Sequence, residues 1–257
     1  QGVAGVSPVG TTGESPTLSP ADHLKVIEAT VEAVAGKAQI IAGTGANSTE
    51  EAIHLTKEIV GLGVDASLQV TPYYNKPNAE GLYRHFAAVA DLGVPVVLYN
   101  VPGRSAKEIP LPVVERLAKH PNVCAIKEAG GSVDRVSAIR QVASGLTILS
   151  GDDALTLPMI AVGAQGVISV ASNVIPAEMS RMVRLALEGD FAGARALHET
   201  WYPLFRDLFC DTNPIPVKAA LAMMGKIRPV YRLPLCEPDA HCTALLRDCL
   251  TRLGLIK

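Results

Sequence analysis

One pattern limits what this sequence can fold into: short apolar, β-branched runs alternate with amphipathic stretches along most of its length. The runs fall at 3–9, 39–42, 66–70, 94–100, 123–127, 146–150 and 166–170. Most are continuously apolar rather than alternating, as expected of strands covered on both faces in a parallel sheet. Helix starts are legible between them. Ser19-Pro20 supplies an N-cap and a proline at the first helical position for a helix over 21–35. Ser48 or Thr49 opens a second helix over 50–62, which Gly61 or Gly63 ends. Further helical patterns lie at 112–119 and 133–143.

Repeated βα units predict a parallel sheet with right-handed crossovers, and the strand spacing suits an α/β fold of the (β/α)8 TIM-barrel type. Seven runs are present rather than eight, and Gln1 falls inside the first strand pattern. The expectation is therefore a barrel whose first βα unit is absent from this sequence. After about Ile175 only helical patterns remain, at 177–188, 191–209, 216–224 and 239–253. The expected layout is a barrel over 1–188, strands 2 to 8, with a C-terminal helical extension over 189–257. No Gly/Ser linker separates the two, so one compact unit is expected.

Composition removes several function classes. An apolar fraction of 48% with a net charge of -2 excludes disorder. Lys+Arg 23 against Asp+Glu 25 leaves no basic surplus for nucleic acid. The uncharged stretch 154–177 holds Pro158, Gly163, Gln165, Gly166, Ser169, Ser172, Asn173 and Pro176. It reads as a short helix, a strand and a loop, not as a membrane span. Five cysteines show no zinc spacing. Cys236, Cys242 and Cys249 read as buried apolar residues of a reducing compartment, and the chain is expected to be soluble and cytoplasmic.

Barrels of this type gather their chemistry at the C-terminal ends of strands. Those ends carry Gly10-Thr11-Thr12-Gly13-Glu14-Ser15, Gly43-Thr44-Gly45, Thr71-Pro72-Tyr73-Tyr74, Tyr99-Asn100-Val101-Pro102-Gly103-Arg104, Lys127-Glu128, Gly151-Asp152-Asp153 and Ser169. Lys127 is the strand-end lysine. Amid apolar neighbours its amine loses hydration, and an uncharged amine can attack a ketone to form an imine. The alternative is a lysine that snorkels to solvent or pairs with Glu128. Tyr99 ends the preceding strand and would stand beside that amine. A phenol with an ordinary pKa of about 10 needs hydroxyl partners to pass protons, and Thr11 and Tyr74 are the nearest strand-end candidates. Each tyrosine could instead anchor its ring in the core.

The turn around Thr11 and Thr12 could cradle a carboxylate, and Arg104 could bind a second one. Gly43-Thr44-Gly45 lacks the third glycine of a dinucleotide loop and is set aside. Asp152-Asp153 reads as a helix cap, Lys218 as structural, and the six histidines match no metal spacing.

Taken together, Gly10-Thr-Thr-Gly-Glu-Ser15, Tyr99-Asn-Val-Pro-Gly-Arg104, Ile126-Lys-Glu-Ala129 and Asn213-Pro-Ile-Pro-Val-Lys218 resemble the dihydrodipicolinate synthases. These are pyruvate-dependent class I aldolases related to N-acetylneuraminate lyase. The resemblance covers the whole chain and implies specific roles. Lys127 would form the imine with pyruvate, Tyr99 would donate and accept protons, and Thr11 and Tyr74 would complete a relay. Tyr74 would serve a neighbouring subunit of a homotetramer. Thr12, Gly151 and the backbone at Ile168 would hold pyruvate, and Arg104 the carboxylate of L-aspartate 4-semialdehyde. No metal or cofactor is implied. A lysine-feedback site would comprise Ser15, His23, Asn47, Glu51 and Tyr73, although Pro20 stands where lysine-sensitive members often carry a basic side chain. A sister aldolase acting on another aldehyde, or a catalytically silent barrel, are the competing readings.

Overall fold

The computed structural model describes residues 1–257. Seven strands form one sheet: β1 (Gly5–Val6), β2 (Gln39–Gly43), β3 (Ala66–Val70), β4 (Val96–Asn100), β5 (Val123–Glu128), β6 (Thr147–Ser150) and β7 (Gly166–Val167). They pair in sequence order, and every pairing is parallel. Between them run α1 (Pro20–Val34), α2 (Thr49–Glu58), α3 (Ala79–Ala90), α4 (Pro102–Ser105), α5 (Leu111–Leu117), α6 (Val133–Val142) and α7 (Thr156–Ala161). Sequential parallel order with crossovers of one hand puts the long helices on one side of the sheet. This is the curled α/β sheet of a barrel.

The two strand faces have different contents. Ala66, Leu68, Val97, Tyr99, Val101 and Ala125 form one apolar cluster, with Val70, Ala129 and Ile168 packed against it. These residues share one side of the pleat, and Lys127 falls between Ala125 and Ala129 on it. The opposite side meets the helices. There Gln69 donates to Thr44 at 2.9 Å, to Ser67 at 2.6 Å and to Thr56 of α2 at 3.1 Å.

The element order agrees with the sequence; the ends and one helix do not. The run 3–9 pairs only at Gly5–Val6, and Val9 turns to φ 49. The run 166–170 stops at Val167, because the Ser169 hydroxyl accepts from the Ser172 amide at 2.8 Å and starts a turn. The helix expected over 50–62 ends at Glu58, with Gly61 and Gly63 at positive φ beyond it. α3 was not anticipated. Its signals are Asn78, which caps Gly81 at 2.8 Å, and the buried stripe Leu82, Phe86, Val89 and Ala90.

Contacts gather the chain into two compact units. One unit is Ala4–Gly10 with Leu18–Ile168 and holds all seven strands. The other is Gln1–Val3, Thr11–Thr17 and Ser169–Lys257. It contains α8 (Pro176–Leu187), α9 (Phe191–Asp207), α10 (Ile215–Met223) and α11 (Ala240–Arg252). Side-chain bonds explain why the short segment after β1 belongs there. Lys218 of α10 pairs with Glu14, the Arg232 amide donates to the same carboxylate at 2.9 Å, and Asn213 donates to Thr12 at 3.0 Å.

The cysteine reading is corrected. Cys242 is not a free buried thiol but is disulfide-bonded to Cys210, joining the end of α9 to the start of α11. Cys236 is exposed, and only Cys249 of the three is a buried thiol, its pKa pushed up to about 12 by burial and by the neighbouring Asp207. Spacing alone gave no signal for the pair, because the two residues lie 32 positions apart.

Candidate active site

Tyr99 and Lys127 are Cα partners across the β4–β5 ladder, so both side chains leave the sheet on the same face at the C-terminal end. The Lys127 amine lies 4.3 Å from the centre of the Tyr99 ring. Tyr99 is buried and Lys127 partly buried. Lys127 makes no ion pair, which disposes of pairing with Glu128. The strand period is the reason, since consecutive residues point to opposite faces.

Gly151 ends the next strand and makes room for the amine's stem. A Cβ there would stand 2.6 Å from the Ala129 Cβ and 3.1 Å from the Lys127 Cε. Ile168 lies beyond β7, with its N–H donated to the Ser150 carbonyl at 2.9 Å. Any backbone contact from Ile168 to a ligand therefore falls to its carbonyl. Arg104 is exposed on α4, directly after β4. Tyr74 departs from the group: it sits at φ 71 in the loop after β3 and is 90% exposed, so its phenol points into solvent.

The second unit carries the threonine turn. Thr11 and Thr12 lie in a single 3-10 turn, Thr11–Gly13, closed by the Glu14 amide on the Thr11 carbonyl at 3.0 Å. Behind it Glu14 is buried at φ 55. Burial alone would raise its carboxyl, but the hydrogen bonds and charges of Lys218 and Arg232 hold it below the usual range. Lys218 is thus bonded to a carboxylate inside its own unit.

The dihydrodipicolinate synthetase family profile matches residues 1–252. The chain belongs to this family. Similar proteins include the 4-hydroxy-tetrahydrodipicolinate synthase of Methanosphaerula palustris, 51% identical over 98% of this chain and 87% of that protein. Among solved structures, the 4-hydroxy-tetrahydrodipicolinate synthase of Methylacidiphilum fumariolicum SolV superposes with a TM-score of 0.97 at 52% identity, covering 98% of this chain and 85% of that one. The Cyanidioschyzon merolae protein, solved with lysine bound, gives 0.95 at 42% identity, covering 99% and 88%.

Four of the five residues matched to the family's feedback site stand close together in the first unit. Asn47 donates to the Tyr73 carbonyl at 3.2 Å, and His23 bonds the Gly43 carbonyl at 2.6 Å. Burial lowers the His23 pKa against the opposing pull of the Gly43 carbonyl and of Glu51. Burial also raises the Tyr73 phenol, with the Glu51 charge acting in the same direction. Ser15 belongs to the other unit, at the start of the turn Ser15–Thr17. Asp152 accepts from the Ala154 and Leu155 amides at 2.9 and 3.2 Å in the turn before α7, whose N-cap is Leu155 with no side-chain cap bond, so Asp152-Asp153 do not cap that helix as expected. No three His, Cys, Asp or Glu side chains converge to hold a metal ion.

Sequence reasoning passed over the partners of the strand-end pair. Asn100 and Arg135 both bind the buried Glu128 carboxylate. The available signal was a second charged residue, directly after Lys127, at the end of an otherwise apolar strand, where a buried carboxylate requires a counter-charge.

Proposed function

We propose that this chain condenses pyruvate with L-aspartate 4-semialdehyde to 4-hydroxy-tetrahydrodipicolinate, on the diaminopimelate route to lysine, through an imine on Lys127. The observation that carries this reading is the amine lying over the Tyr99 ring at 4.3 Å, with no carboxylate paired to it. The Lys127 amine adds to the keto carbon of pyruvate, and water leaves. The cationic nitrogen then acts as an electron sink, and a C3 proton departs to give an enamine. The enamine carbon attacks the aldehyde, and Tyr99 protonates the new alkoxide. The substrate's own amine next attacks the imine carbon, which closes the ring and frees Lys127. Thr12, Gly151 and the Ile168 carbonyl hold pyruvate, Arg104 takes the second carboxylate, and Thr11 relays protons to Tyr99.

Tyr74 enters this scheme from a neighbouring subunit. Its exposure supports a phenol that leaves its own chain to complete another's site in a homotetramer. The seven strands take places 2 to 8 of an eight-stranded barrel, with α9 to α11 as its C-terminal extension. A biosynthetic reaction on small polar acids supports a cytoplasmic place, and no helix is long and apolar enough to cross a membrane. The Cys210–Cys242 disulfide is the one feature that argues the other way. Ser15, His23, Asn47, Glu51 and Tyr73 form the lysine-feedback site. The pairing of Asn47 with Tyr73, and the charge of Glu51 beside His23 and Tyr73, suit an amino acid with two charged ends. Unchanged rates with millimolar lysine in the assay would remove that assignment.

The deciding experiment is borohydride reduction with pyruvate, followed by peptide mapping. A pyruvate-sized adduct on Lys127, diminished by aspartate semialdehyde, is the expected result. Cleavage of sialic acid with no turnover of the semialdehyde would assign the chain to a sister aldolase. No adduct on an intact, folded chain would make it a silent barrel.

A further inference from the structure

Next to the reacting pair, and on the opposite side of the same two strands, lies a charged network that the chemistry above does not use. Glu128 is fully buried, yet its carboxylate accepts from Asn100 at 2.9 and 3.0 Å, from the Gly130 amide at 2.7 Å and from Arg135 at 2.8 Å. So fully bonded a carboxylate is fixed in place by its partners. Buried ion pairs are also weak evidence for stability, because desolvation offsets most of the attraction. The useful question is therefore what the network holds in place.

It holds the 108–109 end of one segment, whose other end runs straight out of β4 at Asn100. With its amide nitrogen turned to Glu128, Asn100 presents its oxygen to the Ile109 N–H at 2.9 Å. Arg135 donates one guanidinium nitrogen to the Ile109 carbonyl and another to Glu108 at 3.1 Å. Ile109 is thus gripped through its N–H and its C=O at once. At the other end the segment is continuous with β4, and the Val101 carbonyl accepts from the Arg104 amide at 2.9 Å and from the Ser105 hydroxyl at 3.1 Å. Arg104 stands between these anchors. Gly130 belongs to the same design, since a Cβ there would come within 2.6 Å of the Glu128 Oε1.

We propose that Glu128, acting through Asn100 and Arg135, is a positioning residue that fixes the 101–109 segment and so places Arg104 for the second substrate. Lys127 and Tyr99 are held independently by the β4–β5 ladder. Loosening the network should therefore move the arginine and leave the amine where it is. A displacement of about 1 Å in such a group costs on the order of a hundredfold in rate.

This inference rests on the proposed reaction, and the test separates the two. Glu128→Gln keeps the side chain's size and removes its charge. Glu108→Ala loosens the exposed end of the same clamp and serves where the first variant does not fold. For each, pyruvate capture on Lys127 is titrated by borohydride trapping, and KM for each substrate is measured in the full reaction. The expected result for Glu128→Gln is a rise of roughly tenfold or more in KM for the semialdehyde, with pyruvate half-saturation in trapping changed less than about twofold. Glu108→Ala should show the same split at roughly threefold. Equal losses in both half-reactions, or no change in folded variants, would overturn the proposal while leaving the reaction in place. No trapping in the unmodified protein would overturn the reaction itself, and this proposal with it.

Discussion

On one side of β4 and β5, an amine and a phenol ring sit among alanines, valines and a leucine, with no carboxylate bonded to either. On the other side of the same strands, one carboxylate takes four hydrogen bonds from Asn100, Gly130 and Arg135. Lys127 and Glu128 are consecutive residues, yet the first is left without a counter-ion and the second is completely satisfied. The difference shows how a strand separates reactivity from support. An amine that must reach a ketone gains from having no partner, whereas a loop that must present an arginine gains from having its far end gripped.

Substitutions on the two sides should therefore fail in different ways. The largest effect is expected from Tyr99→Phe, which keeps the ring beside the amine and removes the phenol oxygen. Turnover should fall about 10²- to 10⁴-fold, while borohydride still traps pyruvate on Lys127. If trapping disappears as well, the phenol is needed for imine formation and not only for the later proton transfers. Gly151→Ala comes next on the same side. Its methyl would crowd the Lys127 Cε and the Ala129 Cβ, which is fixed to the backbone, so kcat should drop roughly a hundredfold and Tm should fall as well.

Gly130→Ala is the matching change on the opposite side, and its kinetic effect should fall on the second substrate rather than on the amine. Crowding the Glu128 carboxylate should cost about 1–3 kcal/mol in denaturant unfolding, and KM for the second substrate should rise with kcat much less affected. The smallest effect concerns His85, on the helix side. Burial drives its pKa down to about 4, with Thr49 bonded to its Nδ1 at 2.9 Å. A histidine depressed in the folded state is protonated preferentially on unfolding, so stability falls as pH drops from about 6.5 toward 4. Between pH 7 and pH 5 the loss should be about 2 kcal/mol. In His85→Gln this slope should flatten while the pH profile of turnover is unchanged.

What was legible in the sequence follows the same division. The apolar runs, Ser19 before Pro20, and the strand-end positions of Lys127 and Tyr99 are local features, and local features survive translation into coordinates. The helix α3 escaped because its cap, Asn78, follows a loop rich in turn residues that masked its apolar stripe. Cys210–Cys242 and Lys218–Glu14 join residues 32 and 204 positions apart, and nothing in either neighbourhood announces the partner. Tyr74 was identified by type and place, but its outward direction depends on a left-handed backbone that the flanking residues do not specify.

The adjacency of Lys127 and Glu128 also bears on how this gene can change over time. Side chains alternate with a period of two, so one codon inserted or deleted within 123–126 would carry the carboxylate to the substrate side and the amine into the helix layer. Exposed connections can lengthen or shorten freely across descendants. This six-residue strand can drift in composition but must keep its length.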